Sequence, residues 1–323
     1  MRRMIIDIPN VLFRVYAAQT YRGDAEASLG LSLHITLNTI KSFYNKYQPN
    51  EIAVVFEGHQ NWRKKFTETS ASPKKYKANR VKDPSMEGLF DLVHTFEELV
   101  KKHSAFICIS NPQLEGDDCF AGYVQMIAKE YPEDEIIGIS GDKDFSQLLK
   151  FKNFTLIDPD TKKPRTVEDP DYFIFEKCFR GDGGDNVMPA YPRVRATRLK
   201  KAFTDEYELI QILNETWSIK DPETEIETIY NVGELFVENE ILMDLEKQPE
   251  EIRELIDLTV KECMAETGKF SLFHFTKFLG KYDLKSIAEQ ASSFAQMFNV
   301  SSKNYNTVHN HSTESKAKML LEF

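Results

Sequence analysis

The stretch IIGISGDKDF at residues 136–145 decides the fold. Its first half is apolar and rich in β-branched isoleucine, and it stops at Ser140 and Gly141, two turn residues. Phe145, Leu148 and Leu149 then fall at the spacing of a helix start. The pattern predicts a buried parallel strand that delivers Asp142 and Asp144 at its carboxyl end. Ligands of open α/β sheets bind beyond those ends, so chemistry is expected here. A plainer reading makes the segment an acidic strand-to-helix turn, with Asp144 as the N-cap.

Outward from this strand the same rhythm repeats. Residues 4–8 (MIIDI), 51–56 (EIAVVF) and 105–109 (AFICI) read as strands, the first carrying Asp7 near its end and the second running into Glu57. Helical spacing marks 28–47 and 86–102, and Glu115, Asp117 and Asp118 open a further helix with Phe120, Tyr123, Val124, Ile127 and Tyr131 on its core face. Acids in a first turn also complement the helix dipole, which is the bland account of these three. The β, α, β, α order implies an α/β fold with a central, mostly parallel sheet covered by helices on both faces.

Beyond that core the pattern gives a strand at 154–157, an edge strand near Thr166 and a helix over 171–180. Two glycines between Asp182 and Asp185 make a tight loop able to aim carboxylates at an ion. A turn and a basic helix over 187–203 form a helix-hairpin able to hold a phosphate backbone. Residues 205–298 are helical in pattern, with Ile226, Ile229, Val232, Leu235, Phe236 and Ile241 as one face. The expected division is an α/β core over 1–180, a helix-hairpin element with a helical C-terminal domain over 181–298, and a polar tail over 299–323.

A chain of 323 residues with 41% hydrophobic and 28% charged residues is ordinary globular protein. No apolar run approaches the roughly 20 residues that span a bilayer, so no membrane role is expected. The apolar patch after Arg2 and Arg3 is too short and too acidic for a signal peptide. Cys108, Cys119, Cys178 and Cys263 show no metal-ligand spacing and suit a reducing cytoplasm. The net charge of −10 argues against nucleic acid, but its distribution reverses that conclusion. Residues 62–82 hold Arg63, Lys64, Lys65, Lys74, Lys75, Lys77, Arg80 and Lys82 against the single acid Glu68. Arg193, Arg195, Arg198, Lys200 and Lys201 form a second basic knot. Local fields of this kind decide where a phosphate backbone docks. With no steady apolar face, 62–82 is expected to project from the body.

The acids that end strands or open the following loops are Asp7, Glu57, Glu115, Asp117, Asp118, Asp142 and Asp144, joined by Asp182 and Asp185. On one edge of a parallel sheet they would repel one another unless a cation neutralised them. Hard divalent ions take oxygen ligands, and two of them about 3.5 to 4 Å apart stabilise in-line phosphoryl displacement. Acids of this kind beside basic stretches point to a nuclease.

The order of Asp7, a carboxylate after VVF, the basic YKANR segment, an E-x-D-D helix start, SGDKDF and GDGGDN resembles the structure-specific 5′-nuclease (flap endonuclease) superfamily, with the bacteriophage ribonuclease H group as the nearest branch. The likeness runs from about residue 4 to about residue 298. It implies a PIN-like core with a helical arch, and a 5′ to 3′ exonuclease and flap endonuclease that removes RNA primers during phage DNA replication. It implies two Mg²⁺ ions, with Mn²⁺ an acceptable substitute. Asp7, Glu57, Glu115, Asp117, Asp118 and Asp142 would serve the first ion, and Asp144, Asp182 and Asp185 the second. Lys77 and Arg80 would act with Asp142 at the scissile phosphate, and Tyr76 would stack on a base. Arg63, Lys64, Tyr76, Lys77 and Arg80 on the arch, with Arg195, Arg198, Lys200 and Lys201 on the helix-hairpin, would contact flap DNA or an RNA/DNA duplex. The family usually has Asp where Glu57 stands, and the loop after Asn186 lacks the Gly-rich hairpin that holds a monovalent ion in its relatives, so no such ion is expected.

Two rivals stand beside this reading. A haloacid-dehalogenase-type phosphatase would need a second Asp two residues after Asp7, where this chain has Pro9. A branched-DNA-binding protein that has lost turnover would keep the fold and basic surface but not the acids. A polar linker ending in Met319, Leu320, Leu321 and Phe323 resembles the tethered peptides that hook replication enzymes onto a sliding clamp. The resemblance also implies a single-stranded-DNA-binding protein as partner, a monomer, and work in the cytoplasm of the phage's host.

Overall fold

The computed structural model describes residues 1–20, 25–70, 72–80, 83, 86–220, 225–266 and 268–301, with side chains placed for all but 19, 20 and 25–28. Strand β1 (Arg2–Asp7) lies at the centre of a five-stranded sheet. Around it are β2 (Glu51–Val55), β3 (Ile107–Ile109), β4 (Glu135–Ile139) and β5 (Phe154–Ile157), in the order β3-β2-β1-β4-β5 and parallel throughout.

Because side chains alternate across a strand, each strand feeds two cores. Met4 and Ile6, Ile52 and Val54, and Ile137 and Ile139 pack with α1 (Ile8–Thr20), α2 (Ala25–Tyr47) and α4 (Glu87–His103). Ile5, Ala53, Val55 and Ile136 face the other way, against α5 (Gly116–Glu130). Burial on both faces is what makes these strands nearly continuous apolar runs. Gly138 is small for a reason: a Cβ there would lie 2.8 Å from the rings of Phe120 and Phe154.

Several expectations change. Helix α1 follows Asp7 at once, in a segment to which the sequence reading assigns no element. Residues 144–150 form a 3-10 turn, not an α-helix. Near Thr166 there is no strand, only an isolated bridge between Ile157 and Pro164. The basic segment does not project: α3 (Trp62–Glu68) and the turn after it bury Trp62, Arg63, Thr67, Ser72 and Tyr76.

The region after 180 is not helical throughout. Helices α6 (Pro170–Arg180), α7 (Ala196–Thr204), α8 (Glu206–Leu213) and α9 (Val232–Met243) form a third core. Between α8 and α9, β6 (Thr216–Lys220) and β7 (Glu227–Asn231) make an antiparallel hairpin. Ile226 and Ile229 are therefore exposed, at 65% and 68%, and only Val232, Leu235 and Phe236 of the expected face are buried. Residues 226–230, IETIY, do not alternate strictly, but Ile, Thr and Tyr are the β-branched and aromatic types that favour a strand, and here they outweigh the helical spacing.

Helix α10 (Glu250–Ala265) packs on α5, while α11 (Leu272–Lys281), α12 (Lys285–Ala288) and α13 (Ala291–Phe298) complete the core beside α1, α2 and α4. The C-terminal helices thus cover the sheet. The apolar peptide Met319–Phe323 and Lys82 lie outside the described residues. Among the described residues no helix is long and apolar enough to cross a membrane.

Candidate active site

Strand order places the switch point of this sheet between β1 and β4, whose neighbours fan out in opposite directions. The crevice at their carboxyl ends is where such sheets bind ligands. Asp7 closes β1, and Asp142 follows β4 after the Ser140–Gly141 turn. Ser140 holds the two strand ends together: its Oγ donates to Asp7 Oδ2 at 2.9 Å and accepts from the Asp142 backbone N–H at 3.0 Å. Asp142 in turn accepts from the Asp144 N–H at 2.8 Å, which sets the 3-10 turn.

Beyond β2, Gly58 lets the chain pack against the loop before α5; a Cβ there would sit 2.2 Å from the Asn111 carbonyl. This close approach brings Glu57 to the helix start, where its Oε2 accepts from the Gly116 N–H at 3.0 Å.

The result is a cleft of about 1270 Å³ lined by Asp7, Glu57, Asp117, Asp142, Asp144, Asp182 and Asp185, that is, seven of the nine expected acids, together with Lys77 and Arg80. Burial raises the Asp7 carboxyl to about 7, with Asp142 and Glu57 adding to the shift and the bonds from Asn10 and Ser140 opposing it. Asp117 is pushed well above the carboxylate range by burial and then by Asp142, Glu115, Asp7 and Glu57. Loss of water and the Glu115 charge raise Glu57 too. Among the described residues none of Asp7, Glu57, Asp117 and Asp142 is in an ion pair. An all-oxygen, like-charged donor set, in which burial and then neighbouring carboxylates raise the proton affinity of Asp7, Glu57 and Asp117, is chemically suited to a hard divalent cation. The acids line the cleft walls without closing in: among the described residues no three His, Cys, Asp or Glu side chains are gathered tightly enough to hold a metal ion.

The remaining acids are held by side-chain cations. Arg63 is fully buried; its guanidinium donates to Asp118 at 2.6 and 2.9 Å, to Glu115 at 2.8 Å and to the Leu242 carbonyl at 2.8 Å. Asp118 accepts from Trp62 Nε1 at 2.9 Å as well. Three expectations are thereby corrected: Asp118 binds Arg63 inside the protein and does not face the cleft, Glu115 is likewise buried and spent on Arg63 and Lys77 and does not line the cleft, and Arg63 cannot reach a nucleic acid. Tyr76 is corrected likewise. Its ring is buried, and its hydroxyl lies 2.9 Å from both Glu115 and Asp185, so it offers no face to a base.

Lys77 takes a left-handed backbone at φ 54°, uncommon for a residue with a side chain, and its amine reaches Glu115. Burial works against that charge, and Glu115 and Asp185 overcome it, raising the Lys77 pKa. Burial likewise opposes the ionised form of Glu115, but Arg63 and Lys77 prevail and hold it low. Arg80 donates to Asp185 at 2.5 Å. Lys177, which sequence reasoning missed, bridges Asp144 and Asp182, the latter at 2.8 Å. Nothing in the sequence around Lys177 distinguishes it from a surface lysine of an amphipathic helix.

The expected nucleic-acid contacts divide. Arg195 and Lys200 are exposed, whereas Arg198 is tied to Glu208 and Glu215 at 2.7 and 2.6 Å, and Lys201 to Glu208 at 2.7 Å. Lys64 is exposed but lines a separate groove beside the start of α10.

Comparison with known proteins places this geometry in context. Residues 2–177 match the family model described as the 5′-3′ exonuclease, N-terminal resolvase-like domain. The chain is 28% identical over 244 residues to the ribonuclease H of Enterobacteria phage T4, covering 70% of this chain and 75% of that protein. It is 28% identical over 134 residues to the exodeoxyribonuclease of Enterobacteria phage T3, covering 42% of this chain and 41% of that protein. Among solved structures, the T5 D15 protein co-crystallised with metal ions superposes with a TM-score of 0.57 at 20% identity, over 81% of this chain and 99% of that one. The bacteriophage T5 D15 flap endonuclease in a pseudo-enzyme–product complex with DNA and metal ions gives 0.55 at 19% identity, with the same coverage.

Proposed function

Because the chain belongs to the 5′-3′ exonuclease family, within the structure-specific 5′-nuclease superfamily, we propose that it is a divalent-metal-dependent 5′ to 3′ exonuclease and flap endonuclease. Its substrates are 5′-flap DNA and the RNA/DNA duplexes left by primers on lagging strands, and its place of work is the cytoplasm of a phage's host. The observation that carries the reading is the switch-point cleft, where Asp7, Glu57, Asp117 and Asp142 stand without side-chain cations while Lys77 and Arg80 line the same space.

Asp7, Glu57, Asp117 and Asp142 would hold one Mg²⁺, and Asp144, Asp182 and Asp185 a second. At those positions the acids would hold ions whose charge would favour an attacking water and the oxygens of an in-line displacement. The protein's own part is to position and to neutralise. Lys77, fixed from below by Glu115, presents a preorganised positive charge to the scissile phosphate. Arg80, exposed on one side, gives a second phosphate contact. Ser140 and Asn10 fix the Asp7 carboxylate by hydrogen bonds, and Gly116 fixes Glu57. The products are a 5′-phosphate and a 3′-hydroxyl. Arg195 and Lys200 steady the duplex, and the C-terminal peptide tethers the enzyme to a clamp.

Incubation of a labelled 5′-flap duplex with Mg²⁺ and with chelator tests the reading. Flap release in Mg²⁺ alone, with 5′-phosphate ends, is expected; tight binding without cleavage in Mg²⁺ or Mn²⁺ would make the protein a branched-DNA binder.

A further inference from the structure

The ammonium of Lys177, in the last turn of α6, sits between Asp144 and Asp182, 2.8 Å from Asp182 Oδ2. The fold fixes it there. Helix α6 packs on the 3-10 turn that opens with Asp144. Gly181 then ends α6 at φ 69°, its N–H donating to the Lys177 carbonyl at 2.8 Å, and this left-handed turn brings Asp182 back beside the lysine. A side chain at 181 is excluded, since a Cβ would lie 2.6 Å from the Pro189 nitrogen. Asp182 Oδ1 accepts from the Gly184 N–H at 2.7 Å, so Oδ2 is the oxygen left for a cation, and Lys177 has it. Asp185, the remaining acid of this group, is paired with Arg80. With 15% of its side chain exposed, Lys177 is not one of the screened surface pairs that contribute little.

Asp144 and Asp182 therefore share one internal cation, whereas Asp7, Glu57, Asp117 and Asp142 have none among the described residues. We propose that Lys177 is an exchangeable counter-charge for the second ion, a positioning residue that holds Asp144 and Asp182 in the free protein and releases them to a backbone phosphate entering the cleft. The proposal rests on the nuclease reading above. Two cations a few Å apart repel, so with Lys177 in place the second position takes a divalent ion weakly. Arg63 is fully buried and has no other anion to turn to, but Lys177 lines the cleft, where a phosphate offers one. Because one ammonium holds both acids, its departure frees them together. Nucleic acid and the second ion would then strengthen each other's binding, as linkage requires.

Counting bound Mn²⁺ by electron paramagnetic resonance tests this on the free protein. The parent should bind a second Mn²⁺ at least about tenfold more weakly than the first. Lys177→Met, which keeps a long stem without the charge, should tighten the second ion about tenfold, while Lys177→Arg should leave it weak. A 5′-flap duplex with charged, hydrolysis-resistant phosphorodithioates around the scissile position should tighten the parent's second ion to the Lys177→Met level. The same duplex with uncharged methylphosphonates there should not. Two equally tight ions in the free parent, an unchanged second ion in Lys177→Met, or equal effects of the two duplexes would overturn the proposal. The duplex comparison uses the parent alone, so it holds even if Lys177→Met fails to fold. A parent that does not cut an unmodified flap in Mg²⁺ would count against the nuclease reading, and ion counting would still decide the role of Lys177.

Discussion

Two groups of carboxylates sit within one active-site region and meet opposite fates. Glu115 and Asp118 are saturated by Arg63 and Lys77 inside the protein. Asp7 and Asp117, a strand end and a neighbour of Asp118, have no cation and carry raised proton affinity. The difference is one of supply. Where α3 and its following turn deliver a cation, an acid becomes a strut that docks the basic segment onto α5. Where none arrives, the acid remains charged only at a cost, and that cost is what a divalent ion can relieve.

The sharpest way to break this division is to remove a strut. Arg63→Ala should destabilise the protein by about 3 to 5 kcal/mol, because it strands Asp118 as a buried unpaired charge. Urea unfolding measures this, and replacing Arg63 and Asp118 together by apolar residues should recover much of the loss. Fully additive losses would mean the two are not acting as a pair.

Lys77 belongs to both groups, since its stem is buried beside a strut and its amine lines the cleft. Lys77→Ala should lower the single-turnover cleavage rate by about 10² to 10³, with a much smaller change in flap affinity. Equal losses in rate and affinity would reduce it to a backbone contact.

A smaller effect concerns protons. Asp7 has an ordinary pKa of 3.8 and about 7 in the folded, metal-free protein, so between those values the folded state binds the proton more tightly. Its contribution to stability is fully present below about pH 3.8 and is lost as pH rises through 7. The slope attributable to Asp7 is at most about 1.4 kcal/mol per pH unit. Comparing parent with Asp7→Asn across pH 4 to 7 in chelator isolates it; the parent should lose more stability as pH rises, and saturating Mg²⁺ should remove the difference. Parallel curves in chelator would show that Asp7 is not strained.

The smallest expected change lies on the helix-hairpin. Arg195→Ala and Lys200→Ala should each weaken flap binding and reduce its salt slope by about one, leaving the saturated cleavage rate untouched. Arg198→Ala should act on stability instead, because its guanidinium is spent on Glu208 and Glu215.

Much of the sheet was legible because strands buried on both faces write apolar runs, as at Met4–Ile6 and Ile136–Ile139, and because acids just past those runs must gather on one edge. Which acids would be neutralised was not legible. Asp117 and Asp118 are adjacent, yet one turns to the cleft and the other into the body, and the helix phase that separates them depends on packing against Trp62 and Arg63. Arg63 itself reads as one more charge in a basic run, and only the tertiary contact with Asp118 turns it inward. The β6–β7 hairpin was hidden for another reason: Ile226 and Ile229 stand three apart, which satisfies helical spacing, and IETIY has no strict alternation to contradict it.

Cleavage of a labelled 5′-flap duplex by Asp142→Asn in saturating Mg²⁺, with flap binding measured alongside, tests the central claim most directly. Asp142 lines the cleft without an ion-pair partner, so losing its charge should abolish product while affinity for the flap stays at the parent's level. Parent-like cleavage by Asp142→Asn would contradict the assignment of the unpaired switch-point acids to chemistry.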